Sequence, residues 1–147
     1  MKVVIQRVKR AQVSVENGPV ACIDQGLVVL VGMKKDDDLK KVLHVADKIS
    51  KLRIFSDKQG LMNLNIHQVK GQILSVSQFT LYGDVKKQNR PGFSNAMAYQ
   101  EAEPLYHQFN DQLKSHQIDV QEGVFGENMD ILLVNDGPVT IIIDTDQ

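Results

Sequence analysis

Two short segments carry the side chains best suited to chemistry in this 147-residue sequence: Ser77-Gln78-Phe79-Thr80-Leu81 and Asn135-Asp136-Gly137-Pro138-Val139-Thr140. The first sets two hydroxyls and a carboxamide at the predicted C-terminal end of a strand, where side chains and backbone N–H groups can turn toward a crevice. Backbone donors around Gln78, Phe79 and Thr80 suit an oxyanion, the charge that develops when a carbonyl is attacked. Thr80 offers a hydroxyl nucleophile, but no identifiable base accompanies it, and an unactivated hydroxyl attacks poorly at neutral pH. Each segment also has a purely structural reading. Phe79 and Leu81 could be core residues with polar neighbours capping the strand, and Asn135 to Pro138 has the composition of a hairpin turn. Other familiar chemistries are missing from the sequence: there is no G-x-x-x-x-G-K-[ST] loop, no G-x-S-x-G elbow and no H-E-x-x-H helix. His44, His67, His107 and His116 fall on predicted helix surfaces or a turn, outside any serine or cysteine nucleophile motif.

The elements that must position these segments are mostly strands. Val3 to Val15 alternates loosely, and Asn17-Gly18-Pro19 signals a turn into Val20 to Ile23, a hairpin pattern. Strict alternation along the first strand puts Val3, Ile5, Ala11, Val13 and Val15 on one face and carries Arg7 and Lys9 to the same side, Arg7 being the candidate to point inward. Leu27 to Val31 reads as a strand covered on both faces. Leu39, Val42, Leu43, Ala46, Ile49 and Leu52 then recur at helical spacing, with His44 off the stripe. Ile54-Phe55 and Gln72 to Phe79 read as strands, and Thr80 to Ala98 as a long surface loop. A second helix presents Ala102, Leu105, Tyr106, Phe109 and Leu113 on one face, with Pro104 placed in its first turn. Met129 to Val134 and Val139 to Ile143 are strands joined by Asn135 to Pro138. Both helices are one-sided, so they pack on one outer face of layered sheets, in a single domain over residues 1–147.

Composition bounds the function. Hydrophobic residues make up 42% and charged residues 24%, with no apolar run of membrane-spanning length and no signal peptide, which points to the cytoplasm. Cys22, the only cysteine, excludes an internal disulfide and is expected to be a small buried strand residue. A net charge of −1 does not advertise a nucleic-acid binder. Positive charge is nevertheless bunched at Lys2, Arg7, Lys9 and Arg10, at Lys34 and Lys35, and at Lys86, Lys87 and Arg90, and local patches can serve one RNA end.

Taken in order with Gln6-Arg7-Val8, Arg53-Ile54-Phe55-Ser56-Asp57 and Gly123-Val124-Phe125-Gly126, the two segments resemble the D-aminoacyl-tRNA deacylases, the D-tyrosyl-tRNA deacylase family, over nearly the whole chain. The resemblance implies a three-layer β/β/α sandwich of mixed, mainly antiparallel sheets with two helices on one face, assembled as a homodimer. It implies hydrolysis of the ester joining a D-amino acid, or glycine mischarged on a non-cognate tRNA, to the tRNA 3′ end, with no metal or organic cofactor. Ser77, Gln78, Phe79 and Thr80 would be the catalytic residues, Ser77 and Gln78 shaping the pocket. Gly137-Pro138 would be a cis peptide projecting into the partner subunit's active site, its carbonyls facing the substrate α-ammonium, with Arg7 holding the loop. Cis is cheap at an X-Pro bond, and glycine has no β-carbon to obstruct close approach. Attack by water assisted by the terminal 2′-hydroxyl would leave Thr80 a positioning role. Gly92 departs from the family pattern, where serine is common after Arg-Pro, and so does Glu127-Asn128, where Ala-Asp is usual. A non-catalytic dimer that binds an RNA 3′ end and a hydrolase of small acyl esters are the alternatives.

Overall fold

The apolar run Leu27 to Val31 needs cover on two faces, and in the computed structural model, which describes residues 1–147, it takes the centre of the sheet. There β3 (Gly26–Gly32) lies between β1 (Lys2–Val15), antiparallel to it, and β6 (Gln72–Ser77), parallel to it. Beyond β6 runs β7 (Asp119–Glu122), again parallel, while β2 (Gly18–Ile23) and β8 (Asp130–Asp144) both pair antiparallel with β1. A separate ribbon joins β4 (Phe55–Ser56) to β5 (Met62–Leu64). Parallel neighbours need long connections, and helices supply them. The chain returns from β3 to β6 through α1 (Leu39–Lys51) and from β6 to β7 through α2 (Tyr99–Ser115).

Alternating side chains of β3 and β6 enter two cores. Leu27, Val29, Val31 and Ile73 pack under the helices with Val42, Ala46, Ile49, Phe109 and Leu113. On the other face Val28, Leu74 and Val76 meet Val8, Ala11, Val13 and Ile23. The distal half of β1 has folded over with β2 and β8 to form that third layer. The mixed, mainly antiparallel architecture with both helices on one face is thus as expected. Each fully buried leucine or isoleucine here contributes about 1.5 to 3 kcal/mol from leaving water.

Crossing between layers corrects the simple alternation of β1. Val3 and Ile5 belong to the helix-side core, whereas Val8, Ala11 and Val13 belong to the other. The register against β8 shifts between Gln6 and Val8 and again between Val8 and Arg10, and such bulges change the phase of a strand. Arg7 is consequently buried and Lys9 exposed.

Other boundaries also move. The first hairpin turns at Glu16-Asn17, so Gly18, at φ +116°, and Pro19 open β2 instead of forming the turn. Cys22 is exposed on β2, not buried. Pro104 sits beyond the first turn of α2, because that helix starts at Tyr99. In α1, Asp38 accepts from the Lys41 N–H at 2.8 Å and caps the helix. The short β7 carries one buried apolar residue, Val120, too little alternation to be read from sequence. At Gly26 the backbones of β3 and β6 meet so closely that a β-carbon would lie 1.8 Å from the Gln72 carbonyl oxygen, so only glycine fits. No helix is long and apolar enough to cross a membrane.

Candidate active site

The parallel strands β3 and β6 end together, and their C-terminal ends open into a pocket of about 310 Å³. Val31 and Met33 line it from the β3 side, Ser77, Gln78 and Phe79 from the β6 side, and Tyr99, Ala102 and Tyr106 from α2. Met97, Phe125 and Gly126 complete the wall. Phe125 stacks edge-on against Tyr99 at 4.9 Å and tilts over Tyr106 at 5.5 Å. The Tyr106 hydroxyl donates to the Ser75 carbonyl at 2.9 Å, tying α2 to β6 directly beneath the motif. Burial raises the pKa of that phenol, so it serves as a neutral donor. The surface is largely apolar, and no carboxylate, imidazole or amine lines it.

Strand β6 stops at Ser77, and Phe79–Tyr82 form a short 3₁₀ turn, so the motif is not extended to Phe79. Two consequences follow for the oxyanion donors. The Gln78 N–H is already given to the Val31 carbonyl at 2.7 Å and is removed from the candidate set. Phe79 and Thr80 open the turn, so their N–H groups have no acceptor within it. The Gln78 side-chain amide donates to the Thr80 hydroxyl, and Thr80 bonds to no base. Phe79 is 57% exposed, contrary to a core role, and meets Phe93 edge-on at 5.1 Å.

Gly137 and Pro138 lie elsewhere. Asn135 to Pro138 does not join two strands: β8 runs straight through, with residues 136–139 bulging opposite Arg7 alone, since Asn135 pairs with Val8 and Thr140 with Gln6. The Gly137-Pro138 peptide is cis, and both residues are exposed. Arg7 anchors the bulge from below. Its Nε donates to the Asp136 carbonyl at 3.2 Å and lies 3.4 Å from the Asp136 carboxylate, while Nη1 donates to the Ile54 carbonyl at 2.7 Å. Asn135 closes the loop's base when its amide nitrogen faces the carbonyls of Arg7 and Val139, at 3.0 and 3.1 Å, and its oxygen accepts from Thr140 and Gln6.

One chain does not bring the two segments together. Arg7 pairs with Leu27 and Leu27 with Ile73, four residues before Ser77. Along the strands and across the sheet, the loop and the pocket are roughly 20 Å apart. Sequence reasoning named Ser77, Gln78, Phe79 and Thr80, of which Thr80 does not line the pocket, but missed the apolar wall. Tyr106 was legible only as a helix-core residue, Phe125 only as part of a glycine-flanked pattern, and Tyr99 carried no signal. The histidines stay outside: His44 and His67 are exposed, His107 lies 3.8 Å from Glu103, and His116 lies 2.6 Å from Asp47.

A family profile described as D-Tyr-tRNA(Tyr) deacylase matches residues 4–144. The D-aminoacyl-tRNA deacylase of Staphylococcus haemolyticus is 52% identical over 148 residues, covering 99% of this chain and 96% of that protein. Its counterpart in Brevibacillus brevis is 50% identical, covering 99% and 100%. Among solved structures, the c-Myc DNA unwinding element binding protein superposes with a TM-score of 0.91 at 38% identity, covering 99% of each chain. A probable eukaryotic D-amino acid tRNA deacylase shares the fold, with a TM-score of 0.81 at 18% identity and 97% coverage of each chain.

Proposed function

We infer the reaction from one fact, that the chain belongs to the D-aminoacyl-tRNA deacylase family: it is a hydrolase that breaks the ester of D-aminoacyl-tRNA and frees the tRNA. In our reading it also releases glycine from a non-cognate tRNA and refuses L-aminoacyl esters. The observation that carries the finer mechanism is the Gly137-Pro138 bulge, fastened by Arg7 and held roughly 20 Å from its own pocket. A loop braced so firmly yet remote from the site it would serve supports a two-fold dimer in which it enters the partner's pocket. There the two loop carbonyls receive the α-ammonium, Ser77 and Gln78 bound the pocket, and the Phe79 and Thr80 N–H groups hold the oxyanion. No basic side chain lines the pocket, so attack by water assisted by the substrate's 2′-hydroxyl fits better than attack by Thr80.

The reading is tested by incubating the protein with D-tyrosyl-tRNA and following ester loss. Release should be catalytic, and the apparent affinity should fall as salt rises, because phosphate contacts displace counterions. Binding without release would favour the RNA-end module. Equal turnover of a free amino-acid ester, with a flat salt response, would favour the small-ester hydrolase.

Thr80 separates the two chemical routes. With Thr80→Ala, activity should fall no more than about tenfold, or about 1.4 kcal/mol, whereas a terminal 2′-deoxyadenosine should reduce it far more. The opposite ranking in single-turnover rates would make the Thr80 hydroxyl the nucleophile.

A further inference from the structure

Helix α1 turns one side to the core and a basic side to solvent. Lys40, His44, Lys48 and Lys51 recur at spacings of four, four and three, so they form one exposed stripe. Two shallow depressions follow it and share His44 and Lys48. One, of about 480 Å³, is bounded by Lys40, Lys41 and the end of β8; the other, of about 500 Å³, by Lys51 and Arg53. They make a continuous trough along α1, roughly 20 Å long.

The carboxylates of this trough are engaged. Asp38 caps α1, Asp47 accepts from Gln112 at 2.7 Å and contacts His116 at 2.6 Å, and Asp144 lies 3.4 Å from Lys2. Lys41 is paired with the buried Asp37 at 2.8 Å. Lys40, Lys48 and Lys51 form no ion pair, and Arg53 donates only to the carbonyl and side-chain oxygens of Asn63. Helix-dipole stabilisation accounts for Lys48 and Lys51 in the last turn, but Lys40, in the first turn, works against it. Four cations thus face solvent without a contact ion pair, Lys51 acting on Asp47 only at longer range, on a chain whose net charge is −1.

The trough also begins at the right end of the molecule. Met33 lines the pocket, and Lys40 follows seven residues later, a separation of no more than about 25 Å. The terminus of β8 that borders the trough pairs with Lys2, and Lys2 pairs with Gly32 at the pocket end of β3. In a tRNA the unpaired 3′ tail separates the esterified nucleotide from the first base pairs, so contacts to the paired stem must lie away from the pocket.

We propose that the α1 trough binds the sugar–phosphate backbone of the paired acceptor stem, with Lys40, Lys48, Lys51 and Arg53 on phosphates. Duplex RNA is held in this way by charge and shape without base reading. The proposal rests on the deacylase reading, but its test does not need turnover. Binding of an uncharged tRNA transcript is measured by fluorescence anisotropy for the wild-type protein, for K40Q/K48Q/K51Q and for K40R/K48R/K51R. The Gln variant should bind roughly tenfold or more weakly, and its slope of log affinity against log salt should be shallower by about 2 to 3, as loss of that many phosphate contacts requires. The Arg variant should match the wild type. Hydrolysis of D-tyrosine esterified to a CCA trinucleotide, which has no stem, should stay within about twofold in all three proteins. Unchanged tRNA affinity and salt slope in the Gln variant overturn the proposal, and so does equal damage to trinucleotide hydrolysis. A wild-type protein that binds tRNA through these lysines yet hydrolyses neither D-tyrosyl-tRNA nor the trinucleotide ester would sink the deacylase reading and leave the trough as an RNA site.

Discussion

D-Tyrosyl-tRNA should be hydrolysed while L-tyrosyl-tRNA survives at the same enzyme concentration, with rates at least about a hundredfold apart, or about 2.7 kcal/mol in the transition state. A site that accepts many D-side chains cannot read the side chain, so discrimination must act around the α-carbon, where backbone atoms of a fixed loop are suited to it. In the proposed arrangement, with the α-ammonium held by the carbonyls of Gly137 and Pro138, a D-side chain would point outward, an L-side chain would meet backbone, and glycine would meet no obstacle. Gly137 stands at φ +120°, and a β-carbon there would lie 2.9 Å from Arg7 Nη2 and 2.9 Å from Val139 Cγ2. Gly137→Ala is therefore strained by its backbone conformation and crowds the Arg7 and Val139 side chains that flank the loop. D-tyrosyl-tRNA hydrolysis should fall roughly a hundredfold in that variant while circular dichroism stays unchanged, because the strain is local to an exposed bulge. Comparable rates on D- and L-esters in the wild-type protein would end this account of chirality.

Two inactive proteins should restore activity when their chains are mixed. Gln78→Ala with Phe79→Ala disables the pocket, and Gly137→Ala with Pro138→Ala disables the loop, so each homodimer should be nearly dead. Random pairing on co-expression makes about half of the dimers mixed, and each mixed dimer holds one intact pocket facing one intact loop. Activity should recover to about a quarter of wild type, since half of the dimers then contain one working site of two. If each loop served its own pocket, every chain would carry a broken site. Mixed dimers shown by differential tagging, with no recovered turnover, would exclude the shared site.

The sequence by itself determined the local features whose cause is local. Leu27 to Val31 is suited to a strand covered on both sides, because it is short, rich in β-branched residues and offers no polar face. The helical spacing from Leu39 to Leu52 defined α1, and Ser77 to Thr80 was recognisable as a strand end bearing polar groups. The composition of Asn135 to Pro138, however, equally describes a hairpin turn, and only pairing of both flanks with the same strand, β1, makes it a bulge. The phase of β1 was hidden for the same reason: bulges opposite β8 transfer Val8, Ala11 and Val13 to the second core, a result of strand pairing that no single-strand periodicity contains. Tertiary structure likewise decided the site's wall, since Met33, the α2 residues Tyr99 and Tyr106, and Phe125 come from three separate stretches of chain and meet only when β3, β6 and α2 converge. It also decided that Arg7 is buried under the Asp136–Pro138 bulge and that the bulge stands far from the pocket of its own chain. Short-range patterning specifies elements because helix and strand periods are local, whereas which elements meet is set by burial and register across the whole chain.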